Sequence, residues 1–486
     1  MRLPILLSIL FVAAGTATAQ QYTATPITSA NSPIFFANLI DLNNKGEVLG
    51  DACIANCGAN RFPAVWANGV FQALPIPPGY QYSATLQEYK INDSGDVVGA
   101  VLLPSTSNRP ITSHVVLWQN GTPTLIEPPP TLFPGCLGIP DSTPSALNSS
   151  GHILILTSYT ADPSFNGYPH PGRCYAYWIY PTGSSTLSFP FPPQCLGIPD
   201  VHGPVMGYDA IPKKTMNDAD QVVENIVNYY CGPPYVNPAP TTTYDPAVIQ
   251  PGGSFSFLPA GGFTFGGGSG ARAEEMDNLG IVQGFADNGA LIWDGNGVHV
   301  LGPGLVASLN NVGQALYAPG NSPLLWQSGV STPIQLPPGL SLSGSTLNDA
   351  GQFVAKDSNS QSSFYLLTPS GTCGQDVTSQ TQVTRGGFRY NHTTTHFTQA
   401  ITVTNAGGSA ITGPISLAFD NLPAKATVFG ISGATQCLPP QGSQYINLGS
   451  ASLASGNSAS ATLQFINTER SGVSYQPRVI TGAARR

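Results

Sequence analysis

Charge is scarce in this 486-residue chain: Asp, Glu, Lys and Arg make up 9% of it, only six of the seventeen basic residues are lysine, and the net charge is −8. Such a surface excludes nucleic-acid binding, which rests on neutralising phosphates with Lys and Arg. No CxxC pair occurs, which argues against a zinc ribbon. The HExxH and GxSxG patterns are missing too, and Gly266-Gly267-Gly268-Ser269-Gly270 lacks the lysine of a P-loop, so it reads as a flexible connection. No cofactor and no resident metal are expected. Long apolar runs are also lacking: beyond the N-terminus nothing approaches the roughly twenty residues a membrane-spanning helix needs. Glycine (54) and proline (45) together make about a fifth of the chain, below the level of about 25 to 30% that marks disorder.

Arg2, an apolar run from Leu3 to Ala14 and the small-x-small triplet Ala17-Thr18-Ala19 predict a signal peptide over 1–19, with the mature chain starting at Gln20. The expected destination is secreted, extracellular or cell-surface associated, without membrane insertion. Eight cysteines, an even number, suit an oxidising compartment.

A short aliphatic-Asx-x-x-Gly turn recurs along the chain: Leu42 to Gly46, Ile91 to Gly95, Leu147 to Gly151, Met216 to Asp220, Met276 to Gly280, Leu309 to Gly313 and Leu347 to Gly351. Only Asp220 breaks the glycine rule. A tight reversal needs a residue tolerant of positive φ at its end, while Asn or Asp bonds its own backbone two residues on. Apolar runs such as Asp96-Val97-Val98-Gly99 and Gln352-Phe353-Val354-Ala355 follow the turns, so each turn reads as a hairpin. A second hairpin then follows, as in Val65-Trp66-Ala67-Asn68-Gly69, with Trp118, Trp178, Trp293 and Trp326 in the same slot and Ile249 and Tyr365 standing in. Seven units of four strands, spaced 33 to 69 residues apart, predict an all-β fold: a seven-bladed β-propeller over 20–371. The last unit stops after Phe364-Tyr365-Leu366-Leu367, and the orphan strand Tyr22 to Ile27 can complete it and close the ring.

The Asn-Asp-x-Gly-x-Val-Val-Gly element around Asn92 and the run His114-Val115-Val116-Leu117-Trp118 resemble the bacterial extracellular HAF-repeat family. The resemblance covers residues 21 to 370 and implies a secreted propeller, mostly without assigned activity in that family. Elsewhere the His-Ala-Phe signature is replaced, as in Pro63-Ala64-Val65 and Ala290-Leu291-Ile292.

Strand alternation puts the two tight turns of a unit at one end and the remaining connections at the other. Inserted length concentrates in the latter, from Leu102 to Thr112, Pro128 to Ser145, Ser158 to Gly172, Pro190 to Lys214 and Val227 to Asp245. Of the 15 connectivities that six cysteines allow, the positions suggest Cys136 with Cys174 and Cys195 with Cys231, leaving Cys53 with Cys57. Bridges closing some tens of residues stabilise by roughly 3 to 4 kcal/mol. Tyr159, His170, Arg173, His202, Tyr208, Tyr229, Tyr230 and Tyr235 in these loops are the candidate ligand-binding residues, for aromatic faces bury area while their polar tips stay wet. The bland reading of the same residues is self-packing of ordered loops. The functional reading is a non-catalytic binding or cell-surface interaction protein for an extracellular glycan or protein, and the alternative is a carbohydrate-active enzyme with its cleft on that face. Carboxylates at the turns, such as Asp93, Asp96, Asp218 and Asp349, superficially resemble a calcium loop but lack its further oxygen ligands. His392-Thr393-Thr394-Thr395-His396 has zinc-compatible spacing on a helix, yet it lies in a Thr-rich turn with no accompanying Glu.

From Asp376 the repeat disappears. Ser379 to Thr384, Phe397 to Thr404, Ile415 to Phe419, Thr427 to Ile431 and Ala459 to Ile466 read as strands. They predict an immunoglobulin-like β-sandwich over 372–486, tethered to the junction by a Cys373–Cys437 bridge. Modules of this kind usually space or present another domain.

Overall fold

A computed structural model of the chain describes residues 19–481 except 30–31, 55–56, 58–60, 84–88, 106–110, 130–139, 161–172, 183, 190–203, 209–214, 231–241, 252, 260–262, 266–267, 296, 312, 320–321, 328, 361–362, 371–373, 392–395, 413–414, 424–425, 430–432, 436–437, 441, 450–451 and 468–471. Apart from one 3-10 turn at Thr378–Gln380, every regular element among the described residues is a β-strand.

Each Asx turn joins the first two strands of an antiparallel sheet. Ile34–Leu42, Val48–Ile54, Phe62–Ala67 and Val70–Ala73 form one such sheet, and Arg272–Met276, Val282–Ala286, Gly289–Asp294 and Gly297–Gly302 form another. The last two repeats share one eight-stranded sheet, joined by the strand Gln20–Pro26. That strand runs antiparallel to Phe364–Pro369, with Tyr22 opposite Pro369 and Pro26 opposite Tyr365. Its first residues also pair in parallel with Ile334 and Gln335. The start of the chain therefore completes the last repeat, as its orphan strand anticipates.

Consecutive sheets pack face to face, and the second strand of each feeds both neighbours because alternate side chains leave opposite faces. Val48 joins Phe36 and Trp66 against Val354, Phe364 and Leu366 of the last sheet, while Leu49, its neighbour in sequence, packs with Tyr89, Val97 and Trp118 of the second. Burial on both faces explains why these strands are continuous apolar runs. Each such side chain contributes roughly 1.5 to 3 kcal/mol. The first cluster links the last sheet to the first, so the packing closes on itself.

The turns add a second closure. The Asn Oδ1 accepts N–H groups from its own turn, as Asn43 does from Lys45 (3.1 Å) and Glu47 (3.0 Å). Its Nδ2 donates to the backbone carbonyl of the equivalent residue in the next turn. These bonds run Asn43 to Asn92 (2.9 Å), Asn92 to Asn148 (3.4 Å), Asn148 to Asn217 (3.3 Å) and Asn217 to Asp277 (3.4 Å). They resume from Asn310 to Asn348 (3.0 Å) and return from Asn348 to Asn43 (2.9 Å). One link is missing by chemistry, since the carboxylate of Asp277 has no amide hydrogen to donate.

The final turn residue has φ between +70° and +88° wherever it is glycine, and φ +56° at Asp220. A side chain there is strained. Asp220 offsets the strain with a contact glycine could not make: His152 Nδ1 of the preceding repeat lies 2.9 and 2.8 Å from its two Oδ atoms, and Asn148 Nδ2 donates to Oδ1 at 3.0 Å.

The tryptophan slot needs correction in two repeats. Trp66, Trp118, Trp293 and Trp326 stand opposite Val48, Val97, Val282 and Ala315, all six residues past the turn's aliphatic position. At the same register the third repeat has Tyr180 opposite Ile153 and the last has Leu367 opposite Phe353. Trp178 and Tyr365 sit two residues earlier on their strands, a step that keeps the face but changes the partner. The indole N–H of Trp66, Trp118 and Trp293 donates to the carbonyl of Thr28, Pro75 or Pro259, each just past the outer strand of the preceding sheet. Trp178 donates instead to Thr157 Oγ1.

Several expected loops are shorter than the sequence suggested. Ile153–Thr160, Val222–Tyr230 and Thr242–Ile249 run into them, and Pro204–Tyr208 is a strand inside the 190–214 stretch. Backbone pairing there is satisfied by Tyr, Asn, Thr and Pro positions that carry no apolar alternation. Gly268–Gly270 is likewise a short strand, paired with Thr264–Phe265, where a flexible connection was expected.

The C-terminal residues form two five-stranded sheets around one core that includes Ile401, Val403, Leu417, Phe419, Leu463, Phe465 and Val479. The strand expected from Ser379 begins at Thr381 after the 3-10 turn, and that expected over Thr427 to Ile431 is Ala426–Val428. Gln444–Gly449 and Gln476–Thr481 are strands that sequence patterning missed. In the second of these, Arg478 sits in a strand interior because Asp420 pairs with it in the core, Nε to Oδ2 at 2.7 Å and Nη2 to Oδ1 at 2.9 Å.

Two stability outcomes follow from the turns. Asn348→Asp keeps the acceptor and removes the donor that joins last turn to first, so the urea midpoint should fall by the equivalent of at least about 1 kcal/mol. Asp220→Gly relieves about 1 kcal/mol of backbone strain but loses the His152 and Asn148 contacts, and a net loss of about 1 kcal/mol is expected; a raised midpoint would contradict this account of Asp220.

Candidate functional site

The two ends of the ring differ in chemistry. At the turn end, the Asx residues and the last residues of the first strands surround a cavity of about 260 Å³ whose lining includes Asp41, Lys90, Asp93, Glu275 and Asp349. Its carboxylates are occupied by the ring itself. Asp41 Oδ2 accepts the N–H of Ile91 (3.0 Å) and Glu275 Oε2 that of Leu309 (2.6 Å), each from the next repeat. Asp93 and Asp349 are bridged by Asn44, whose Nδ2 donates to both at 2.7 Å. Asp218 and Asn278 pair across their turns in the same way, at 2.6 Å. The turn carboxylates thus serve as acceptors between repeats, and among the described residues no three His, Cys, Asp or Glu side chains gather to hold an ion.

The opposite end carries four of the sequence-predicted positions. Tyr159 stands opposite Cys174, and Thr160 opposite Arg173, at the ends of their strands remote from the turn. Tyr229 lies between Val205 and Thr242, and Tyr230 faces Pro204, again at that end, whereas Tyr208 closes Pro204–Tyr208 on the turn side, opposite Ile226. Four of the eight candidates therefore sit at strand ends remote from the turn instead of in free loops, and Tyr208 sits at the turn-facing end of its strand. His170, His202 and Tyr235 lie outside the described residues, as do Cys136, Cys195, Cys231, Cys373 and Cys437. Cys53 and Cys57 are joined. His396 opens the strand His396–Asn405, and His392 lies outside the described residues.

The structure adds polar groups at this end that the sequence reading passed over. Asp51 is wholly buried and receives Arg61 Nη1 at 2.8 Å and the Tyr82 hydroxyl at 3.2 Å. Arg61 Nε also donates to the Cys57 carbonyl at 3.2 Å, which ties this cluster to the disulfide. In the second repeat, His114 stands between Thr112 Oγ1 (Nε2, 3.1 Å) and Glu127 Oε1 (Nδ1, 3.3 Å), with the Tyr80 ring edge-on to it. A signal for Asp51 was present: a carboxylate directly follows Gly50 inside an otherwise uncharged strand run, where the second repeat has Ala100.

Burial and then the neighbouring Asp51 carboxylate hold the Tyr82 phenol protonated well above its ordinary range, so it acts as a donor.

No protein-family model and no curated protein matches the chain. Among solved structures it is similar to the β-propeller domain of the Trilobed protease from Pyrococcus furiosus, at 12% identity and a TM-score of 0.39, covering 69% of this chain and 96% of that one. It is also similar to the Pyrococcus horikoshii acylaminoacyl peptidase, at 9% identity and a TM-score of 0.38, covering 76% of this chain and 58% of that one. A third likeness is to the extracellular domain of a one-component system from B. thetaiotaomicron, at 11% identity and a TM-score of 0.36, covering 80% of this chain and 46% of that one.

The Tyr82 environment sets a pH dependence. A phenol held protonated in the native state contributes stability that is complete below its unfolded pKa of about 10 and declines as pH rises beyond it. Urea midpoints should therefore fall between about pH 9.5 and 11, and Tyr82→Phe should flatten that decline; an unchanged slope would show that Tyr82 does not carry it.

Proposed function

We propose that the protein is a secreted, non-catalytic binding protein: a seven-bladed β-propeller of the HAF-repeat type over 20–371, followed by an immunoglobulin-like sandwich, that takes an extracellular glycan or protein at the end of the ring opposite the Asx turns. The signal peptide over 1–19 and the Cys136–Cys174, Cys195–Cys231 and Cys373–Cys437 pairings are part of this reading. The observation that carries it is the register, in which Tyr159, Arg173, Tyr229 and Tyr230 fall at strand ends of two adjacent sheets on one side. Tyrosine and arginine are residue types that supply contact area with a polar tip.

The turn end supports the same assignment by contrast. Its carboxylates and amides are acceptors and donors between repeats, so a ligand there would compete with the bonds that close the ring. The opposite end carries the inserted length, and binding groups on a rigid scaffold are disproportionately borne by such connections.

A glycan array probed with the full secreted chain tests the reading. Binding to a defined glycan class should weaken about five- to thirtyfold in Tyr229→Ala and Tyr230→Ala, the loss expected of aromatic anchors worth about 1 to 2 kcal/mol each. Release of reducing ends or unsaturated products from the same polysaccharides would overturn the non-catalytic assignment.

A further inference from the structure

The fifth turn, Met276 to Gly280, differs from the others in two ways that meet in space. Its Asp277 cannot donate to the Asn310 carbonyl, so the amide chain around the ring is interrupted between the fifth and sixth repeats. Its fourth position is Leu279, where other turns carry Lys45, Ser94, Ser150 and Ala219, all exposed, and the half-buried Ala350. Leu279 is half-buried, and it packs against the core cluster of the C-terminal sandwich.

Two further contacts define the junction. The ring of Phe429 from the sandwich lies so close over Gly295 that a Cβ there would stand 3.0 Å from Cζ and 3.1 Å from Cε2. Gly295 belongs to the second hairpin turn of the same repeat, between Gly289–Asp294 and Gly297–Gly302. On the ring side, Leu279 and Ile281 reach the sixth turn: a Cβ on Gly313 would meet Ile281 Cδ1 at 2.9 Å and Leu279 Cδ1 at 3.5 Å. One leucine therefore touches its own turn, the next turn and the sandwich.

We propose that the C-terminal sandwich is a clamp on the ring. It grips both hairpin turns of the fifth repeat through Leu279 and Phe429, and its apolar contact takes the place of the amide-to-carbonyl bond that Asp277 cannot make. The sandwich thereby sits at the turn end, and the opposite end, with its inserted connections, stays uncovered. Apolar groups suit this task because contact between them needs no partner of fixed geometry, and Phe429 stays 39% exposed at the junction, whereas a turn-to-turn hydrogen bond needs an amide at one atom.

The test uses the full chain with Leu279→Lys and, separately, Phe429→Ser. Small-angle scattering reads docking through the radius of gyration, and hydrogen exchange reads the turns over 277–281 and 310–314 against the intact turn over 92–96. Both variants should enlarge the radius and speed exchange in the fifth and sixth turns about tenfold relative to the second, the factor that roughly 1.4 kcal/mol supplies. Adding Asp277→Asn, which provides the missing donor, should restore protection while the radius stays enlarged. An unchanged radius would overturn the docking, and an enlarged radius with unchanged exchange would overturn the clamp.

Discussion

The side-chain amide of one asparagine, placed at the second position of a hairpin turn, is the interaction on which the ring depends. Its oxygen shapes the turn by accepting N–H groups two and four residues on, as Asn92 does for Ser94 and Asp96, and its nitrogen reaches the neighbouring turn. A single residue type thereby encodes both a local reversal and a contact between modules. Aspartate satisfies only the first requirement, and the one turn that carries it, at Asp277, is also the turn covered by the sandwich core. The apolar clusters between sheets supply most of the stabilisation, but they are tolerant of shape. The amide bonds fix which turn lies beside which.

This arrangement divides the molecule by chemistry. At the turn end the polar side chains are acceptors and donors for adjacent repeats, and at the other end the strands carry Tyr159, Arg173, Tyr229 and Tyr230 near their termini. In the first repeat the buried carboxylate of Asp51 is paired with Arg61 and Tyr82. A charge removed from water is costly unless paired and hydrogen-bonded, and these two partners offset the burial of Asp51.

Much of the ring was legible because its signals are short-range. The turn pattern, the paired apolar residues after it and the orphan strand near Tyr22 each follow from backbone chemistry within about ten residues, and the pairing of Pro26 with Tyr365 agrees with them. Trp178 and Tyr365 misled because a shift of two residues along a strand leaves the apolar pattern intact while changing the partner. The strands Gln444–Gly449 and Gln476–Thr481 were missed since their polar members, Arg478 above all, are compensated by residues far away in sequence, here Asp420.

By itself the sequence determined the repeating hairpins and the all-β class, because turn chemistry and strand alternation are properties of neighbouring residues. Only the tertiary structure decided why Asp220 replaces glycine, where Leu279 goes, and what Asp51 is buried against. Those answers depend on His152, on the sandwich core and on Arg61 with Tyr82. Each compensation acts across elements that no sequence period connects, and it exists only once the sheets have packed.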